Sequence, residues 1–213
     1  MDLYFSPMAC SLASRIALYE VGAKDAQFIE VDAKTKRTAD GANYFDVYPL
    51  GLVPLIRLDD GSLLSENAAI LQYIAARYPQ SQLAPKDEIE RAHLQQWLCF
   101  IGTELHRGFF IPLFDQKAPE GTRQHILKKY ESRLNYLNDH LTGREYLLDR
   151  FTVADAYLYT ILNWTVPLNV DLSRWPAIKS YREFLQTRPS IATAFLEEMA
   201  LYKAELARHK VAA

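Results

Sequence analysis

Cysteine is scarce in this 213-residue chain. Only Cys10 and Cys99 occur, too few for a disulfide framework and without His at metal-ligand spacing, so any cysteine chemistry is that of a reduced thiol and no metal is expected. Glycine and proline are sparse as well, eight and ten residues, which excludes low-complexity and collagen-like chains. No apolar run approaches the roughly 18 residues needed to cross a bilayer, so a soluble chain with no membrane partner is expected. Neither sign of charge dominates: Lys plus Arg is 24 and Asp plus Glu is 26, a formal net charge of −2. A broad basic field that could hold a phosphate backbone is therefore missing, which excludes nucleic acid as the main partner. The opening Met1-Asp2-Leu3-Tyr4-Phe5 has no basic n-region followed by an apolar h-region; no export signal is read, and the cytoplasm is the expected compartment. What the chain does have is core material. With 49% hydrophobic and 12% aromatic residues it can fill one large domain or two small ones.

The pattern along the chain changes near residue 85. Before it, short apolar runs alternate with helical stretches. Leu3 to Phe5 reads as a strand, Ser11 to Val21 as a helix closed by Gly22, and Gln27 to Asp32 as a second strand, a β-α-β unit with a right-handed crossover. Leu55 to Leu58 and Leu63 to Leu64 flank Asp59-Asp60-Gly61-Ser62, a hairpin signal, and a helix carrying Ala68, Ile70, Leu71 and Ile74 follows with Ser65 as its expected N-cap. After a polar stretch the chain reads as helix throughout. A long helix carries Trp97, Leu98, Ile101 and Leu105 and is expected to end near Gly108; a second runs from Ile126 to Leu141. A third opens at Thr152-Val153-Ala154-Asp155, a capping-box pattern with Phe151 in the staple position. Two more, near 176–187 and 190–210, are divided by Arg188-Pro189. The expected domains are residues 1–79, a linker over 80–86, and an all-helical domain over 87–213.

Four places could carry chemistry. Cys10 stands between the first strand and the first helix, where partial positive charge and unpaired N–H donors favour thiolate over thiol; the alternative is a small packed hydrophobe. Ala13 occupies the place of a second cysteine, so disulfide exchange there needs a thiol from outside. Val53-Pro54 precedes a strand that a central proline would interrupt. A cis peptide would turn the Val53 N–H and C=O outward toward an extended peptide-like ligand, and an ordinary trans proline at the strand's first residue is the other possibility. Ser65-Glu66-Asn67 opens a helix, leaving N–H groups for an anion with Glu66 beside them for an ammonium, or else it is only a cap. On the long helix His106, Thr103 and Cys99, with Gln95 or Gln96 a turn earlier, form a polar track that lines a cleft or surrounds a satisfied interhelical histidine. His93, His125, His140 and His209 show no partner at useful spacing and are expected on the surface.

Taken in order, these pieces resemble a cytosolic glutathione transferase, most closely the bacterial beta class. Leu3-Tyr4-Phe5-Ser6-Pro7-Met8-Ala9-Cys10-Ser11-Leu12 resembles that class's opening, Leu58-Asp59-Asp60-Gly61 its hairpin, Glu104-Leu105-His106 its long helix and Phe151-Thr152-Val153-Ala154-Asp155-Ala156-Tyr157 its helix cap. The resemblance implies a thioredoxin-like α/β N-terminal domain, an all-helical C-terminal domain, a cis Pro54 and glutathione lying across the domain cleft. It implies that the cysteinyl backbone of glutathione pairs with Val53, that the γ-glutamyl carboxylate meets the helix start at Glu66 and Asn67 and the ammonium Glu66, that Lys36 contacts the glycyl end, and that the sulfur faces Cys10 and His106. It further implies a homodimer, a detoxifying transferase that adds glutathione thiolate to small apolar electrophiles, and a pocket for them that includes Phe109, Phe110, Phe114 and Trp164. Cys10 adds thiol-disulfide exchange; a noncatalytic ligand-binding or regulatory protein is the alternative. The chain departs from the class at Ser14-Arg15, where Pro-His is common, at Tyr48-Pro49-Leu50-Gly51 in place of Asn-Pro-Lys-Gly, and at Cys99, where an Asn is usual.

Overall fold

The computed structural model describes residues 1–211, which form two compact units: Met1–Ser81 together with the segment from Pro189 onward, and Gln82–Arg188. The first unit is built on a four-stranded sheet of order β2-β1-β3-β4, from β1 (Asp2–Phe5), β2 (Gln27–Glu30), β3 (Leu55–Arg57) and β4 (Leu63–Ser65). Leu3 pairs with Phe28 in parallel and with Ile56 in antiparallel register, and Ile56 pairs with Leu64. Leu3, Tyr4 and Phe5 are all buried, without the polar alternation of a strand that keeps one face in water. Helix α1 (Leu12–Glu20) buries Leu12, Ile16 and Ala17, and α2 (Asn67–Arg77) buries Ile70, Leu71 and Ile74. Between β3 and β4 the expected tight turn is present: Gly61 takes φ 83, and Asp60 accepts from the Ser62 N–H at 2.9 Å.

Tyr44 ties the segment before β3 to the core. It is wholly buried, its ring lies 5.5 Å from that of Tyr4, and its hydroxyl donates to the Leu52 carbonyl at 2.8 Å. Val53 packs on the same cluster. The residue next to the candidate ligand contact is thus held by an aromatic anchor rather than by a regular element.

The last helix, α8 (Pro189–Val211), was expected in the second domain and instead packs on α1 of the first unit. Its buried stripe continues from Ile191 and Ala194 to Glu198 and Glu205, and these two carboxyl groups accept from the backbone N–H groups of Met8 (2.8 Å) and Ala33 (2.7 Å). Buried acids need donors, and here loop amides of the first unit supply them. His209, expected without a partner, lies with Nε2 3.0 Å from Asp32 near the end of the same helix.

The second unit holds α3 (Glu88–Phe100), a π-helical stretch (Ile101–Phe110) and α4 (Ile111–Phe114) in one continuous rod, then α5 (Thr122–Leu141), α6 (Val153–Leu162) and α7 (Pro176–Gln186). The rod does not stop at Gly108. A Cβ there would stand 2.5 Å from the Tyr130 hydroxyl and 2.9 Å from the Thr103 carbonyl, so glycine serves close approach of α5 and not termination. All ten residues of α6 are buried, and its start carries the expected capping box: the Thr152 hydroxyl accepts from the Ala154 N–H while Asp155 accepts from the Thr152 N–H at 2.8 Å. His140, also expected without a partner, contacts the Leu147 carbonyl through Nε2 at 2.8 Å and packs on Trp97 with ring centroids 4.4 Å apart. Among the described residues no helix is long and apolar enough to cross a membrane.

Candidate functional site

In the first unit the chemistry-bearing residues converge where β1 gives way to α1. Ser6 ends the strand with its hydroxyl donating to the Val31 carbonyl at 2.6 Å, and Tyr4 is buried in the aromatic cluster, where desolvation raises its phenol above the ordinary value. Ser6 and Tyr4 therefore serve the core, which leaves the Cys10 thiol as the candidate nucleophile of this loop. Met8 takes φ 61, unusual for a side chain of that size, and its N–H donates to Glu198. The loop then coils into α1 through bonds from Leu12 N–H to the Ala9 carbonyl (3.1 Å) and from Ala13 N–H to the Cys10 carbonyl (3.2 Å). Cys10 is half-buried at that helix start, and its thiol donates to the Val53 carbonyl at 3.2 Å. The Val53-Pro54 peptide is cis. A carbonyl has two lone pairs, so Val53 can hold the thiol and still accept from a ligand.

Asn67 has a structural part besides its expected place at the helix start. Its side chain is buried, donates to the Cys10 carbonyl at 3.0 Å and accepts from the Ser14 hydroxyl at 3.1 Å, so it ties the cysteine loop to α2 and leaves only the helix-start N–H groups for an anion. Ser65 is not the cap: it pairs with Leu55 in the β4–β3 ladder, and Glu66 takes the N-cap place with φ 67 and no side-chain capping bond. A glutamate held in left-handed backbone is costly, about 1–3 kcal/mol, and such residues gather at ligand sites. Its side chain is exposed. Lys36, also at positive φ (56), sits half-buried in the loop after β2; its carbonyl accepts from the Tyr44 N–H at 2.9 Å, so Tyr44 joins the Lys36 loop to the Leu52 carbonyl.

Three residues that sequence reading passed over support the cysteine loop. Arg15 is 6% exposed on an otherwise apolar helix face, stacked over Phe28 at 4.7 Å and Phe5 at 5.0 Å, and paired with Glu197 at 2.6 Å. Glu198 stands 4.0 Å from the Arg15 guanidinium, and burial pushes its carboxyl up to about 8. The signal for Arg15 and Glu198 is a charge inside the apolar stripe of α1 and an acid inside that of α8, each requiring a partner, whereas the exposed Glu197 carries none. Farther along, Asp32, Glu205 and His209 bring possible metal-ligand atoms within 4.8 Å of one another. Arg208 lies 3.9 Å from Asp32 and 2.7 Å from Glu30, and Glu205 accepts from Ala33, so the group acts as an ionic clip for α8.

In the second unit His106 stands on the π-helical stretch, a winding often found at functional positions. Its Nδ1 lies 2.7 Å from the Tyr157 hydroxyl, and its ring meets Trp164 edge-on at 5.1 Å. Burial, with Arg107 adding to it, pulls the imidazole down to about 4, so the ring is neutral at pH 7. One turn earlier the exposed Thr103 donates to the carbonyl of the exposed Cys99 at 2.9 Å; the hydroxyl completes its own helix turn. Of the expected apolar lining, Phe114 is exposed and packs on Trp164, whereas Phe109 and Phe110 are wholly buried core residues.

Known proteins align with nearly the whole chain. Residues 7–77 match the glutathione S-transferase N-terminal domain and residues 92–189 the glutathione S-transferase C-terminal domain. The chain is 41% identical to glutathione S-transferase GstA of Escherichia coli, over 93% of its own length and 98% of the relative's. A sphingomonad glutathione S-transferase solved in complex with glutathione superposes with a TM-score of 0.87 at 38% identity, over 93% of this chain and 98% of the other. The bacterial beta class enzyme of Sphingomonas chungbukensis gives 0.86 at 37% identity, with the same coverage. Sequence and fold agree: the chain belongs to the glutathione S-transferase family of enzymes, alongside its bacterial beta class members.

Proposed function

We propose that the chain binds glutathione on its first unit and transfers the thiolate to small apolar electrophiles. The observation that carries this reading is the Cys10 thiol resting on the Val53 carbonyl beside cis Pro54, in a loop tied by Asn67 to a helix start where exposed Glu66 holds the N-cap place. Glutathione is an extended zwitterionic peptide and matches those groups one by one. Its cysteinyl backbone pairs with Val53, its γ-glutamyl carboxylate takes the α2 N–H groups and its ammonium meets Glu66, while Lys36 receives the glycyl end. In conjugation the glutathione thiolate attacks the electrophilic carbon, the carbon–sulfur bond forms, and the leaving group departs with the electron pair. His106, neutral at pH 7, serves this chemistry as a hydrogen-bond donor rather than a cationic charge.

Cys10 gives the same site a second reaction. Its thiolate attacks a glutathione-containing disulfide, forming a mixed disulfide and releasing the other thiolate; a second glutathione thiolate then frees Cys10 and leaves as glutathione disulfide. This chemistry belongs to a reducing compartment, in keeping with the cytoplasm. The active assembly is a homodimer. Cys10→Ala tests the reading through two assays on one variant. Conjugation of glutathione to an aromatic halide is expected to fall modestly, and reduction of a glutathione disulfide to be lost, because covalent exchange has no substitute for the attacking sulfur. Equal loss of both activities would overturn the division of roles, and failure of the wild type to bind glutathione in a calorimetric titration would overturn the binding assignment.

A further inference from the structure

His106 has a close, buried partner that the transfer chemistry does not itself require. The Tyr157 hydroxyl lies 2.7 Å from Nδ1, with the rings edge to face at 5.9 Å. Tyr157 is 3% exposed on α6, the helix whose every residue is buried and whose start is locked by the Thr152–Asp155 capping box. Neither ring can turn away freely, since Trp164 closes on the imidazole edge at 5.1 Å. A neutral imidazole carries one N–H and one lone pair, and the group opposite one nitrogen decides which nitrogen holds the proton. Phenol is a stronger acid than the imidazole N–H, and the bare ring nitrogen is a stronger base than the phenol oxygen. The contact therefore forms with Tyr157 donating to Nδ1, and the ring proton resides on Nε2.

We propose that Tyr157 is a positioning residue that holds His106 as the Nε2–H tautomer, so that the imidazole offers a fixed hydrogen-bond donor instead of two interchanging ring forms. The functional consequence rests on the reading above in which His106 serves the transfer as a hydrogen-bond donor; the tautomer itself does not. Only a donor can stabilise a thiolate, and the other tautomer would turn a lone pair toward it. Trp164 and Tyr157 fix the orientation of the ring, and Arg107, the cation acting on it, adds to burial in disfavouring a second proton. The ring consequently keeps one proton, on one nitrogen, throughout the neutral range.

Long-range proton–nitrogen correlation spectra of histidine-labelled protein read the tautomer directly. The wild type is expected to show His106 protonated at Nε2 alone from about pH 6 to pH 8. Tyr157→Phe is expected to give mixed tautomers and about a tenfold lower kcat for conjugation at nearly unchanged KM for glutathione, the pattern of an interaction made in the transition state. Proton density on Nδ1 in the wild type would overturn the proposal, and so would a Tyr157→Phe protein in which tautomer and kcat are both unchanged. The wild-type spectrum decides the tautomer even if the variant folds poorly. Should His106→Ala leave conjugation intact while the wild-type ring is Nε2–H, the donor reading of His106 in the transfer fails and the tautomer assignment stands.

Discussion

A carboxyl group wholly removed from water sits behind the cysteine loop, and its titration reports on how that loop is held. Glu198 accepts the Met8 N–H at 2.8 Å, two residues before Cys10, with Arg15 at 4.0 Å too distant for a strong direct bond. Burial raises its folded pKa to about 8, against an unfolded value near 4.5. Between those values the folded state keeps a proton that the unfolded state releases, so this group's contribution is complete below about pH 4.5 and is lost as pH climbs through about 8. Unfolding free energy is therefore expected to decline by roughly 2–4 kcal/mol more in the wild type than in Glu198→Gln between about pH 5 and pH 8, after allowance for relaxation around the buried charge. Urea titrations of both proteins across that range check it, and parallel pH curves would show that Glu198 does not titrate there. The same residue shows where sequence reading reaches its limit. Cys10, Val53-Pro54 and Glu66 were legible because each interrupts a local pattern: a thiol at a helix start, a proline at a strand start, an acid at a cap. An acid inside the stripe of α8 marks Glu198 as needing a partner, but that partner is Met8, 190 residues away in the chain, and the partner of Tyr157 is His106, 51 residues away. No periodicity carries such information.

Elements were read most accurately where chemistry at their ends is strong. The helix expected from Thr152 onward is α6, with both halves of its capping box in place. The Asp155 carboxylate, fully buried, also accepts from the Leu147 N–H at 2.8 Å and the Tyr181 hydroxyl at 2.7 Å, which offsets the cost of placing it inside. Thr152→Ala removes the acceptor for the Ala154 N–H in a site that water does not reach; a loss of about 1–2 kcal/mol is expected, the upper part of the range for caps. Chemical denaturation measures it, and a change below about 0.5 kcal/mol, within the range of ordinary surface substitutions, would show the cap to be dispensable. The reading failed where an element's boundary depends on a neighbour. Gly108 looked like a helix end and is a gap cut for Tyr130; Ser65 looked like a cap and is a strand residue paired with Leu55. Small and polar residues stop helices in isolation, and packing reassigned both.

At the scale of the molecule the order of segments and the order of packing differ. The family match to the C-terminal domain ends at residue 189, where α8 begins, and that helix returns to complete the first unit by covering α1. The first unit is therefore discontinuous in sequence, with a single helix from the chain's end supplying the acceptor that holds the cysteine loop at Met8. It also carries exposed apolar side chains close to the candidate ligand contact: Phe45, Leu50 and Leu52 precede Val53, and the Phe45 ring covers Gly51 closely enough that a Cβ there would lie 2.5 Å from it. Gly51 takes φ 61, so the turn that projects Leu50 and Leu52 depends on glycine both for its backbone and for its clearance. Apolar surface of this kind is what subunit association buries, and a pair related by a two-fold axis is the common arrangement. The proposed homodimer is expected to sediment at twice the 24.5 kDa chain mass at micromolar concentration. Because apolar burial drives it, the mass is expected to hold when salt is raised to about 0.5 M, where the Debye length falls to a few ångströms and exposed ion pairs are screened. A dimer that dissociates in salt would assign the association to charge instead, and a strict monomer in both buffers would overturn the homodimer itself.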